Sequence, residues 1–196
     1  MQGPMSSVAD SVVVVSGLPR SGTSMAMQMI VAGGIRAVTD GTRTPDADNP
    51  RGYFEFERVK QLKTDKAWLD EARGQVVKVI HMLVPELPDD RRYRVVFLDR
   101  DIREVVKSQA TMLARSAKAG AQLSPERLQS IYEAQLATVH AWLEARPNFA
   151  VLRVRHADLL RDPVAAAASI NAFLGGGLDE RAMASAVDAS LYRNRA

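Results

Sequence analysis

The sequence contains no cysteine among its 196 residues, which excludes disulfides, thiolate metal sites and a cysteine nucleophile. No apolar run approaches the roughly 20 residues that a membrane-crossing helix needs. The opening MQGPMSSVADS lacks a basic stretch followed by a long apolar segment, so no secretory signal is expected. Residues 1–10 are instead expected to be disordered or partly a cloning remnant, with Met5 as the natural start, and the protein is expected in the cytoplasm. No basic run marks a nucleic-acid arm. Lys and Arg number 26 against 23 Asp and Glu, a net charge of only +3, so nucleic acid is not an expected partner. Of the three histidines, His140 and His156 are remote in sequence from any carboxylate cluster of metal-ligand spacing, and no metal is expected.

What is present is an ordinary globular composition, 46% hydrophobic and 25% charged, in a length that suits one domain over residues 1–196. Val12 to Val15 form a β-branched run typical of a strand buried on both faces. Thr23 to Ala32 read as a buried helix, and Ile35 to Val38 as a second short strand. Asp40 to Gly52 is rich in Gly, Pro, Asp and Asn and reads as a functional loop. Tyr53 to Asp70 is expected to be helical, with Val59, Leu62, Trp68 and Leu69 as its apolar positions. Val76 to Ile80, Tyr93 to Leu98 and Phe149 to Val154 complete five expected strands. Helices follow over Ile102 to Arg115, from Ser124-Pro125-Glu126 onward and from Pro163 onward, with proline at helix starts as its missing N–H allows. Strands alternating with helices predict an α/β, three-layer, P-loop-like fold: a central parallel sheet of about five strands with helices on both faces.

Two stretches carry chemistry. In GLPRSGTS, Gly17 to Ser24, two glycines are spaced G-x-x-x-x-G between a strand and a helix. Such a turn aims backbone N–H groups and a helix N-terminus at an anion. The lysine that nucleotide-hydrolysing enzymes place after the second glycine is absent; Thr23 and Ser24 stand there, and Arg20 is the loop's cation. A plain tight turn with a hydroxyl cap is the bland alternative. In FLDRDIREVVKS, Phe97 to Ser108, Arg100 ends a strand and Ser108 lies two turns into the next helix. Ligands in open α/β sheets bind beyond the carboxyl ends of strands, so this pair offers a second phosphate site; a solvated corner is the alternative.

Together these stretches resemble the sulfotransferases that use 3′-phosphoadenosine 5′-phosphosulfate (PAPS). Pro19-Arg20-Ser21-Gly22-Thr23-Ser24 is similar to the family's 5′-phosphosulfate loop, and Arg100 with Ser108 has the spacing of its 3′-phosphate site. Phe149 to Gly175 and DNPRGYFEFE extend the likeness, the latter to bacterial members. The resemblance implies sulfuryl transfer from PAPS to a hydroxyl or amine acceptor, with PAP as product and no metal. It would hold the donor on Pro19, Arg20, Ser21, Gly22, Thr23, Ser24, Arg100 and Ser108. The family's late Arg-Lys-Gly triplet is missing, and the tail LYRNRA offers Arg193 and Arg195 in its place. The absent lysine then has a reason: no triphosphate is gripped and no Mg²⁺ bridge is required.

Two residues are candidates for the base that takes the acceptor's proton. Glu55 follows the long loop and is flanked by Tyr53, Phe54 and Phe56. His81 follows the third strand, one position later than a Lys-Thr-His in the small-phenol branch, and histidine titrates in the useful range. Lys78 is the candidate contact to the transferring group, alongside Arg20. The acceptor is expected to be a small molecule, carbohydrate, lipid or natural product, met chiefly by Asp40 to Gly52 and Arg115 to Gln122. A phosphotransferase using ATP through a degenerate loop, and a non-catalytic nucleotide-binding module, are the competing readings.

Overall fold

The computed structural model describes residues 8–41, 52–116 and 123–188. Residues 42–51 and 117–122, which hold most of the expected acceptor loops, and Arg193 and Arg195 lie outside the described residues. Four parallel strands form the sheet: β1 (Ser11–Gly17), β2 (Val76–Lys78), β3 (Arg92–Asp99) and β4 (Phe149–Arg155), in the order β2-β1-β3-β4. Val12 to Val15 are fully buried, as a strand covered on both faces must be. Their alternation divides the core: Val13 and Val15 face one layer, Val12 and Val14 the other.

Helix α1 (Thr23–Ala32) joins β1 to β2 and covers the first face through Met27, Met29 and Ile30. The segments α2 (Ile102–Ser116) and α3 (Pro125–Glu144) join β3 to β4, with Val139 and Leu143 of α3 on the second face. Helices α4 (His156–Arg161), α5 (Pro163–Phe173) and α6 (Glu180–Ser185) end the described chain; Ala167, Ile170 and Met183 return to the first face. Connections from β1 and β3 therefore depart to opposite sides of the sheet. The strand order reverses between them, and their carboxyl ends open a crevice where such folds bind ligands. No helix of the described residues is long and apolar enough to cross a membrane.

Among the described residues the sheet has four strands where the sequence suggests about five. Of Ile35 to Val38, only Ala37 pairs, as a single parallel bridge to Val76. The chain then turns away: Thr39 Oγ1 donates to the Glu55 carbonyl at 2.8 Å, and the Glu57 N–H donates to Asp40 Oδ2 at 2.7 Å. Tyr53 to Asp70 is not the expected helix but two 3₁₀ turns, Glu57–Gln61 and Ala67–Leu69. Its apolar residues do enter the core, but the five residues between Leu62 and Trp68 break the helical stripe. Arg58 also grips Asp65 through its Nε and Nη2, at 2.7 and 2.9 Å, which draws the chain back on itself.

Candidate functional site

β1 delivers the loop and α1 receives it. The loop turns tightly, with the Ser21 N–H donating to the Leu18 carbonyl at 3.2 Å. Two residues adopt left-handed backbone: Arg20 (φ 66°) and Gly22 (φ 98°). That conformation is free for glycine but costs an arginine, and such outliers gather at ligand sites. Gly22 begins α1 without a side-chain cap, whereas Ser124, Asp162 and Asp179 cap α3, α5 and α6. The first N–H groups of α1 have no intrahelical acceptor and carry the positive end of the helix dipole. Ser21 Oγ is buried with no hydrogen-bond partner within the protein.

The floor under Gly22 is His156, the first residue of α4. A Cβ on Gly22 would lie 2.6 Å from His156 Cδ2. Burial, then the nearby charge of Arg100, lowers the His156 pKa to about 4, so the ring is neutral at neutral pH. Gly22→Ala is therefore expected to cost at least about 2 kcal/mol from the left-handed backbone and the collision together. Urea unfolding measures this, and wild-type stability in the variant would contradict it.

β3 places Arg100 one step from the loop. Its Nη1 donates to the Arg20 carbonyl at 2.8 Å, and its Nε to Glu104 at 2.9 Å. Arg20 reaches the opposite way, its Nε donating to Ser108 Oγ of α2 at 3.2 Å. The two motifs, 80 residues apart, are thus tied together at the crevice between β1 and β3. This tie needs both strands, since Gly17 pairs with Leu98 at the end of the ladder.

A third cation arrives from β2. Lys78 Nζ stands 3.5 Å from Ser24 Oγ, donates to the Tyr53 carbonyl and lies 3.8 Å from Glu55. A lysine therefore does meet the start of α1, but from the neighbouring strand rather than from the loop. Glu55 remains 27% exposed beside it. His81 is not brought into this group. It is 2% exposed, with Nε2 2.9 Å from Gln135 Oε1 of α3. Burial lowers its pKa against the opposing effects of Gln135 and the Gly17 backbone.

The structure adds two participants to the site. Glu104 was legible, since it falls midway in the Arg100–Glu104–Ser108 series at intervals of four. His156 gave no local signal, because the tertiary fold brings the start of α4 beneath Gly22.

A sulfotransferase-domain family model matches residues 10–195, and the chain belongs to that family. Its fold is similar to a sulfotransferase domain of the Synechococcus olefin synthase, at 17% identity and a TM-score of 0.51 over 92% of this chain and 78% of that one. A sulfotransferase from Alicyclobacillus acidocaldarius is similar at 15% identity and a TM-score of 0.53, covering 87% and 84%. A mouse sulfotransferase complexed with PAP is similar at 16% identity and 0.53, covering 94% of this chain and 64% of that one. No curated protein matches.

Proposed function

We propose that the chain transfers a sulfuryl group from PAPS to an acceptor hydroxyl or amine, as one domain that includes the loop and Arg100. The observation that carries this reading is the Arg20–Ser108 and Arg100–Arg20 pair of hydrogen bonds. It sets two cations and a hydroxyl beside an uncapped helix start, which suits a nucleotide bearing two separate anionic groups. The PAP in the mouse complex, and in a retinol dehydratase complex of similar fold that also holds androsterone, agrees with that donor class.

PAPS supplies an activated sulfuryl group: the bond from sulfur to the 5′-phosphate oxygen breaks as the bond from sulfur to the acceptor oxygen forms. The α1 N–H groups, Arg20, Thr23 and Ser24 hold the 5′ end and stabilise charge growing on the departing oxygen. Arg100 and Ser108 hold the 3′-phosphate; Arg193 and Arg195, the sequence's further candidates for it, lie outside the described residues. Lys78 meets the transferring group from the β2 side. Glu55 takes the acceptor's proton, since it is partly exposed beside Lys78 while His81 is buried against Gln135.

On the acceptor side, Lys78 and Ile80 share a face of the extended β2 run, while Val77 and Val79 turn to the core. Ile80 is 46% exposed and Met82 49% exposed. An acceptor carrying hydrocarbon next to its hydroxyl suits that edge.

PAP without Mg²⁺ is expected to raise the melting temperature by about 5–10 °C at roughly 100 times its Kd. Stabilisation by ATP with Mg²⁺ alone would sink the sulfuryl-transfer reading in favour of a phosphotransferase. PAP binding with no turnover across an acceptor library would favour a binding module.

A further inference from the structure

A carboxylate stands inside this anion site. Glu104 lies on α2 between Arg100 and Ser108, each four residues away, and is only 12% exposed. Its Oε2 accepts from Arg100 Nε at 2.9 Å while Arg100 Nη1 donates to the Arg20 carbonyl. Glu104 therefore fixes the plane of the guanidinium and, through it, the left-handed turn at Arg20. The same negative charge sits one guanidinium away from the position proposed for the 3′-phosphate, in surroundings where charges are poorly screened. The neighbouring acid on this turn, Asp101, is paired outward with Arg103 at 2.7 Å and does not share that position.

We propose that Glu104 is a built-in counter-anion of the 3′-phosphate site: it positions Arg100 and holds nucleotide affinity down, so that product PAP is released. This rests on the PAPS reading and deepens it. A site with Arg20, Arg100, Lys78 and a helix start would otherwise grip the spent nucleotide more firmly than turnover allows. Position and charge are separable. Glutamine retains an oxygen that can accept from Arg100 Nε but carries no charge. Aspartate retains the charge but is one methylene too short to reach the same nitrogen.

The test is calorimetric titration of PAP into the full chain, with stopped-flow measurement of PAP release. Glu104→Gln is expected to bind PAP roughly tenfold more tightly, chiefly through slower release. Glu104→Asp is expected to bind more weakly than wild type, because the brace is lost and the repulsion kept. Asp101→Asn, one turn earlier and exposed, should change PAP affinity less than about twofold. Weaker or unchanged binding by Glu104→Gln overturns the proposal, as does failure of both Glu104 variants to fold, which would make the residue purely structural. If wild type itself binds no PAP, the PAPS reading fails and takes this proposal with it. If wild type binds and only the predicted order Gln, Glu, Asp is absent, the PAPS reading stands and this proposal alone fails.

Discussion

Glu55→Gln should lower turnover by about 100-fold or more while leaving PAP affinity within about twofold. The substitution preserves shape and removes the ability to accept a proton. The backbone that presents the residue is fixed independently of its side chain. Thr39 Oγ1 and the Asp40 N–H both donate to the Glu55 carbonyl, at 2.8 and 3.4 Å, and Phe54 before it is held at φ 51°. Lys78, 3.8 Å from the carboxylate, links it to the start of α1 through Ser24. A loss confined to turnover is thus the signature of a proton acceptor. Steady-state kinetics with an acceptor found by library screening, together with PAP titration, checks it. Unchanged turnover would move the base elsewhere, and His81→Gln would then be the deciding variant. Equal losses in turnover and PAP affinity would make Glu55 a support for Lys78 instead.

Arg100→Ala should weaken PAP binding by about 100-fold, or about 2.7 kcal/mol, the sum of a lost charge-assisted contact and a loosened loop. The guanidinium is 9% exposed and serves two elements at once, the Arg20 carbonyl and Glu104. Its removal frees the strained Arg20 turn and leaves the Glu104 carboxylate without Arg100 at a site where phosphate must bind. The double variant Arg100→Ala/Glu104→Ala should therefore recover part of the loss, which simple deletion of a phosphate contact would not produce. Calorimetric titration of PAP decides both points. Wild-type affinity in Arg100→Ala would remove the second phosphate site from this account.

Much of the frame was readable in the chain. Four valines in succession can satisfy their backbone and bury their side chains only as an interior strand, and Val12 to Val15 do so. Ser124 and Pro125 start α3 as their chemistry requires, with Ser124 accepting from the Arg127 N–H at 3.2 Å. The motifs GLPRSGTS and FLDRDIREVVKS meet at one crevice because each lies where a strand ends, and strand ends in a parallel sheet point the same way. Tyr53 to Asp70 has the apolar content of a helix, but the polar stretch between Leu62 and Trp68 leaves it as two 3₁₀ turns. Ile35 to Val38 misled because pairing depends on where the chain goes next, and it goes to Glu55.

The missing lysine shows where local information stops. Gly17 to Ser24 read as an anion loop that does without a lysine of its own. They could not reveal that Lys78, 54 positions after Ser24, reaches the same helix start from β2, or that Arg100 steadies the left-handed Arg20 from β3. Backbone conformation and element boundaries follow largely from neighbours in the chain, because sterics and hydrogen-bonding rules are local. Which charges meet at the crevice follows from the strand order β2-β1-β3-β4, which sets residues from three strands around a single turn.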